Sequence, residues 1–149
     1  ETANPKTKEY AVLRNWLLPS LMEVLTRNKC YEYPQKLFEV GDVVHLDKGS
    51  ETGTKLERRL CIVISHSKAS FSEIKSVAEA VFRNLGIKEY EVREGHVPCF
   101  IEGRDAEVVC KGKVIGRFGE VHPTVLEKWD LTMPTVALEM SVNALWELL

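Results

Sequence analysis

The spacing of apolar residues predicts a helix near the start of the chain. Between residues 10 and 28, apolar positions recur three and four apart, as on one face of a helix. These positions are Leu13, Trp16, Leu17, Leu21, Val24 and Leu25. Pro19 falls inside this run, and proline is tolerated in the first turn of a helix, where its missing N–H has no partner to lose. We therefore predict a break near Leu18 and a helix from Pro19 to about Asn28.

Two segments that follow have the length and composition of β-strands. KLFEVGDVVHL, residues 36–46, is rich in apolar residues and carries one central carboxylate, Glu39. RRLCIVISH, residues 58–66, contains a continuous apolar run, which is typical of a central strand covered on both faces. The polar segment between them, residues 47–55, is predicted to be a flexible loop.

The next segment predicts a helix and then a hairpin. Apolar residues behind Ser70 keep helical spacing until Gly86, and Ser70 and Glu73 have the spacing of a capping box. Residues 105–123 consist of two β-rich runs around a tight turn at residues 111–113, which indicates a β-hairpin.

The remaining segments complete an α+β pattern. Residues 87–93 resemble a short strand, residues 123–129 a short helix, and residues 135–140 a further strand. Ser141 can cap a terminal helix. Hairpins mixed with flanking helices predict an α+β domain in which helices pack on an antiparallel sheet.

Composition narrows the class of protein. The chain has 149 residues, which suits a single domain, and a formal net charge of -2, which gives no electrostatic reason to expect nucleic-acid binding by the whole domain. Its apolar runs are shorter than the roughly 20 residues that span a bilayer, and its start does not resemble a signal peptide, so we expect no membrane partner. The first residue is Glu1 rather than Met, so we expect a piece of a longer polypeptide.

The cysteines and histidines do not form a metal-binding pattern. Cys30, Cys61, Cys99 and Cys110 include no C-x-x-C pair, which favours reduced thiols in a cytosolic protein. His96 and Cys99 have a spacing that a metal accepts, but no second pair completes four ligands. We expect no metal in this domain.

Two further features of the sequence are candidate sites. Glu39 and Asp42 lie three apart and so point to opposite faces of a strand, unless Gly41 adds a bulge; a structural role is favoured for Glu39. The glycines at 112, 116 and 119 lie in or between hairpin strands, where glycine marks a bulge or close backbone approach rather than a phosphate loop. The residues by themselves therefore indicate a domain without a self-contained active site.

Four stretches, taken together, resemble a known family. NPKTKEYAVLRNWLLPSLMEVLTRN, PQKLFEVGDVV, EGRDAEVV and GKVIGRFGEVHPTVL are similar, in this order, to the beta chain of phenylalanyl-tRNA synthetase of the archaeal and eukaryotic type. The resemblance extends over essentially the whole chain. It implies a fold like the class II aminoacyl-tRNA synthetase core, an antiparallel sheet flanked by helices.

The same resemblance implies that this domain is not catalytic. In this family the alpha chain is catalytic, and the core-like domain of the beta chain is its non-catalytic partner. Two alpha and two beta chains form a cytoplasmic ligase that joins phenylalanine to tRNA with ATP and Mg²⁺. We expect this domain to bind neither cofactor itself and to meet tRNA through the whole enzyme.

The resemblance also points to residues that have lost a function. Active class II cores carry an arginine two positions before a glutamate on one strand; with Glu39 as that glutamate, Leu37 takes the place of the arginine. Lys36 cannot substitute, because one step along a strand turns a side chain to the other face.

A second ATP-binding arginine begins the last helix of active cores, after a glycine-rich strand. In the tail ALEMSVNALWELL, Glu139 and Ser141 stand in for glycines and Ala144 for the arginine. Leu37, Glu39, Glu139, Ser141 and Ala144 are thus expected to be vestigial positions, with no catalytic or cofactor-binding residue among them. Without guanidinium groups, nothing is left to clamp a triphosphate.

The sequence gives less evidence about which surface of the domain contacts the alpha chain. Trp16 and Leu17 are candidates for contact with the alpha chain, although core packing is the commoner fate of such residues. Two other hypotheses stay open: an active adenylate-forming enzyme whose arginines lie elsewhere, and a stand-alone regulatory or amino-acid-sensing module of the same fold.

Overall fold

The protein is seen in a computed structural model that describes residues 12–149; the predictions for the first eleven residues lie outside this part of the chain. The described helices are α1 (Leu18–Arg27), α2 (Phe71–Asn84), α3 (Pro123–Lys128) and α4 (Val142–Trp146). The described strands are β1 (Gln35–Leu46), β2 (Thr54–Ser65), β3 (Glu91–Glu94), β4 (Phe100–Cys110), β5 (Lys113–Val121) and β6 (Thr135–Ser141). None of these helices is long and apolar enough to cross a bilayer.

The strands form one sheet in the order β1-β2-β6-β5-β4-β3, and each neighbouring pair is antiparallel. Because successive strand residues point to opposite sides, the sheet has two faces with separate cores. We call the side that packs against α1 and α3 the α1 face; its core includes Leu21, Val63 and Leu126. The side that packs against α2 and α4 is the α2 face, with Phe82, Phe118 and Leu138 in its core. The predicted α+β architecture is confirmed.

Most element predictions agree with this fold. Helix α1 begins at Leu18 with Pro19 in its first turn, and α2 is followed by Gly86 in the left-handed region at φ 75°. The predicted hairpin turns at Lys111 and Gly112, which both have positive φ, as a two-residue turn matched to the twist of the strands requires.

The predicted capping box at the start of α2 is wrong. The side chain of Ser70 makes no capping hydrogen bond. Glu73 instead lies 2.7 Å from Nε2 of His66, while the N–H of Phe71 donates to Glu120 of β5 at 2.8 Å. A carboxylate from the sheet therefore occupies the helix N-terminus, where a negative charge is stabilised.

Two glycines in β5 allow adjacent strands to approach closely, as the sequence predicted. A Cβ on Gly119 would lie 2.8 Å from Cβ of Asp105 and 2.9 Å from the carbonyl oxygen of Arg104. A Cβ on Gly116 would lie 2.7 Å from Cβ of Met140. Neither position has room for a side chain, because the neighbouring atoms belong to packed strands rather than to flexible side-chain ends.

We predict that Gly119→Ala lowers the free energy of unfolding by about 1–3 kcal/mol, because overpacking at a buried site forces the strands apart. Gly49→Ala is the matched control: it lies in the turn between β1 and β2, and its added Cβ would meet only the side chain of Asp47, at 3.3 Å. Urea unfolding measures both. Equal stabilities of the two variants would contradict the packing argument.

Candidate functional site

A row of mostly charged residues crosses the α1 face of the sheet from edge to edge. The strand registers place one residue from each strand opposite the next. In sheet order the members are Glu39, Cys61, Glu139, Arg117, Glu107 and Arg93. We call this set the cross-strand row. Its charges alternate in sign from Glu139 to the β3 edge, and Nε of Arg117 contacts Glu107 at 2.8 Å.

Glu139, on β6 in the middle of the row, is buried, with 9% of its surface exposed. Its carboxylate accepts the backbone N–H groups of Leu17 and Leu18, at 3.0 to 3.1 Å. Nη1 of Arg59 donates to it at 3.1 Å. Two free N–H groups at the start of α1 and one guanidinium thus surround the charge, the arrangement that a buried carboxylate needs.

A chain of ionic contacts leads from Glu139 to the edge of the sheet. Nε of Arg59 donates to Glu57 at 3.1 Å, and Nε2 of His45 lies 2.9 Å from the same carboxylate oxygen. Burial by itself would raise the pKa of Glu57, but hydrogen bonds from Ser141, Arg59 and His45 and the charge of Arg59 outweigh it and lower that pKa. The Arg59 charge is therefore shared by two carboxylates.

A small cleft of about 120 Å³ opens beside Glu139. Its walls are Trp16 and Leu18 from the segment around α1, Phe100 from β4, and Arg59 and Arg117 from the sheet. Pockets for small ligands are larger, on the order of 300–1,000 Å³. The cleft is therefore too small for a nucleotide in this conformation.

Glu39, the row member on the edge strand β1, pairs with Arg14. Oε1 of Glu39 lies 2.7 Å from Nη1 of Arg14, and Nε of Arg14 donates to the carbonyl of Asp42 at 3.1 Å. The register of β1 with β2 is continuous, so Gly41 adds no bulge. Gly41 instead leaves room for this pair, since a Cβ there would clash with the Arg14 guanidinium and lie 2.8 Å from Oε1 of Glu39.

The structure brings together most of the other positions singled out by the sequence. Leu37 and Ser141 share the α1 face with Glu39 and Glu139, and Leu37 packs against its core. Ala144 does not join them, because it is half-buried against the core of the α2 face. These placements leave the vestigial interpretation a prediction.

The two interface candidates separate in the fold. Leu17 has no exposed surface and belongs to the α1-face core, so its side chain is not available to a partner. Trp16 is half-buried and lines the cleft. The expectation of a subunit contact is thus left to Trp16.

Two residues that the sequence reasoning missed, Arg14 and Arg59, supply the cations of the site. The sequence analysis did not single out either residue, because their partners lie far away along the chain: Arg59 and Glu139 are 80 residues apart. Arg59 carried one signal, a charge directly before the apolar run that forms the second half of β2.

The cysteines are placed away from any ligand cluster. Within residues 12–149, no group of three His, Cys, Asp or Glu side chains converges as a metal site would require. Burial raises the pKa of Cys61, and it raises the pKa of Cys99 to about 11, so both thiols resist ionisation.

Comparison with solved structures identifies the class of fold. The chain superposes with a TM-score of 0.74 on a pyrrolysyl-tRNA synthetase, PylSc of Desulfitobacterium hafniense, at 17% identity, covering 89% of this chain and 48% of that one. A second structure of pyrrolysyl-tRNA synthetase from the same organism gives 0.73 with the same coverage. The fold is that of a class II aminoacyl-tRNA synthetase core.

The sequence comparison is more specific. A family described as the phenylalanyl tRNA synthetase beta chain CLM domain matches residues 1–142. The chain is 44% identical over 146 residues to the phenylalanine–tRNA ligase beta subunit of Thermococcus gammatolerans and 47% identical over 144 residues to that of Archaeoglobus fulgidus. These matches span 98% and 97% of this chain, but only 26% and 25% of the length of the relatives. The chain belongs to the phenylalanyl-tRNA synthetase beta-chain family, as the sequence motifs predicted.

We predict that Glu139→Gln lowers the free energy of unfolding by about 2–3 kcal/mol, because it weakens charge-assisted hydrogen bonds to two N–H groups and leaves Arg59 with one carboxylate fewer. Glu107→Gln is the control on the same row, since its partner Arg117 is half exposed and exposed pairs contribute only about 0–1 kcal/mol. Chemical denaturation of both variants tests this. A Glu139→Gln protein as stable as the control would show that the contacts of Glu139 with α1 and Arg59 do not stabilise the fold.

Proposed function

We propose that this chain is a non-catalytic core-like module of the phenylalanine–tRNA ligase beta subunit, and that it supports assembly with a catalytic alpha subunit. The whole cytoplasmic enzyme, with two chains of each kind, then charges tRNA with phenylalanine using ATP and Mg²⁺. The family membership supports the beta-subunit assignment. The proposal that the module itself is inactive rests on Glu139, whose buried carboxylate already contacts Arg59 and two backbone N–H groups at the start of α1.

The charge balance of the cleft disfavours a triphosphate. A buried carboxylate lies on its wall, and the nearest guanidinium, that of Arg59, already contacts both Glu57 and Glu139. Arg117 is likewise paired, with Glu107. A bound triphosphate would face Glu139, and neither arginine that the structure places on the cleft wall is free to offset the repulsion. These residues do not fit ATP or its magnesium, so no step of the reaction is assigned to this chain.

The face of the sheet opposite the cleft offers a surface for a partner near the edge strand β1. On the α2 face, α2 and α4 leave part of β1 and β2 uncovered, and large apolar side chains stand exposed there: Phe38 at 74%, Trp146 at 77%, and also Val40 and Leu56. Several large apolar side chains exposed on one face of a sheet are typical of a protein–protein interface. We infer that this apolar patch contacts another chain of the enzyme. Trp16, which lines the cleft on the opposite face of the sheet, is a separate candidate for such a contact.

We predict that the chain by itself does not catalyse ATP–pyrophosphate exchange, because its cleft has no free cation to hold the triphosphate among the described residues. We also predict that Glu39→Gln in the assembled enzyme leaves aminoacylation within about twofold of wild type. The reason is that Glu39 is engaged with Arg14 in a partly exposed ion pair within the fold, and such a pair near the surface stabilises by about 0–1 kcal/mol. Exchange and charging assays measure the two effects. Exchange at a rate like that of the alpha chain, or a charging defect above tenfold in a correctly assembled Glu39→Gln enzyme, would refute the inactive assignment.

We predict that Phe38→Ser combined with Trp146→Ser weakens assembly with the alpha chain at least tenfold, which corresponds to about 1.4 kcal/mol. Tyr31→Ser is the control, because Tyr31 is also exposed and aromatic but lies between α1 and β1, outside the apolar patch. Sedimentation or mass photometry of mixed subunits measures the Kd. Equal Kd values for the double variant and the control would place the interface elsewhere.

A further inference from the structure

Among the described residues only two acids are buried, Glu139 and Asp105, and their surroundings differ sharply. Glu139 accepts two backbone N–H groups and contacts Arg59. Asp105, on β4 and 5% exposed, accepts one N–H, from Val97 to Oδ2 at 2.9 Å. Its Oδ1 is buried without a hydrogen-bond partner, and within residues 12–149 no cationic side chain pairs with it.

Such a carboxylate is costly unless something else compensates it. Buried charges in proteins are paired or hydrogen-bonded. A buried carboxylate with no donor to one oxygen loses the hydration of that oxygen and gains no hydrogen bond in its place. The fold nevertheless holds Asp105 firmly in place. A Cβ on Gly119 would lie 2.8 Å from its Cβ, and one on Gly95 would lie 3.0 Å from its Cγ, so two backbone segments pack directly against it.

Asp105 lines a pocket of about 360 Å³ that contains no lysine or arginine. The other polar side chains of the pocket are His96, Glu102 and His122. Glu102 is exposed and forms no ion pair within the described part of the chain. The N–H of Thr124 donates to Nδ1 of His122 at 3.2 Å, so this nitrogen is already engaged as an acceptor. The lining of the pocket therefore has two acids and neither a lysine nor an arginine.

We propose that this pocket binds an ammonium group, which donates to Asp105 and is held at the rim by Glu102. A metal ion fits less well, because no three ligating side chains converge in the described residues. An ammonium needs only acceptors within reach of its three N–H donors, and Phe100 supplies an aromatic wall of the kind that also attracts cations. The pocket adjoins the Glu139 cleft, because Val97 and Phe100 line both, but it is built around a different acid and does not depend on the proposed function.

The ammonium can belong to a small amine or to a lysine of a partner chain, and the test separates the two. Thermal unfolding is measured with methylammonium chloride and with tetramethylammonium chloride at equal concentration, both for this chain and for its assembled complex. Methylammonium has N–H donors and tetramethylammonium has none, so only the first is expected to raise the unfolding midpoint, by about 2–4 °C when well above its Kd.

Three variants test whether the effect of methylammonium on the unfolding midpoint arises in this pocket. Asp105→Asn is expected to abolish the difference between the two salts, and Glu102→Gln, an exposed change that cannot disrupt the core, to raise the Kd for methylammonium at least threefold. Glu51→Gln, an exposed acid in the β1–β2 turn, serves as the control and is expected to behave as wild type.

The outcomes are distinct. A response in both the chain and the complex identifies a small-amine site, whereas a response in the chain that disappears on assembly identifies a lysine of the partner. Equal effects of the two salts, or a methylammonium effect that survives in both Asp105→Asn and Glu102→Gln, would overturn the proposal. If Asp105→Asn does not fold, the Glu102→Gln result decides.

Discussion

The burial of the Glu139 carboxylate is the constraint on which the rest of the site depends. This side chain points from β6, near the middle of the sheet, toward a face where α1 must also pack. A charge in that position is stable only if donors meet it, and the fold supplies them from the start of α1 and from Arg59 on β2. One carboxylate therefore fixes where α1 begins, how it lies on the sheet and how Arg59 is oriented.

The same contact determines what the cleft can bind. Because the N-terminus of α1 and the Arg59 guanidinium are both turned toward Glu139, two groups that ordinarily attract anions are already satisfied inside the protein. The sheet keeps the outline of a synthetase core, while the charges that would hold a nucleotide are engaged in internal contacts. This is consistent with a module whose contribution to a larger enzyme is made through its outer surfaces.

Much of the fold was predictable because it is local or strictly periodic. The helical spacing and Pro19 located α1, the apolar run located β2, and Gly112 located the hairpin turn, since each depends on residues close together in the sequence. The capping of α2 was not predictable in this way. Ser70 and Glu73 had the right spacing, but Glu120 of β5 competes for the same N–H groups, and Glu73 is drawn to His66.

The sequence by itself determined the family, the sheet-and-helix architecture and the placement of Leu37 and Glu39 on one face of their strand, because side chains two residues apart in a strand point the same way. Only the tertiary structure decided what these residues contact. Glu139 meets Leu17 across 122 residues and Arg59 across 80, and Asp105 owes its isolation to strands and loops that close around it. Such contacts depend on which chain segments become neighbours after folding, and no local pattern encodes the partner of a buried charge.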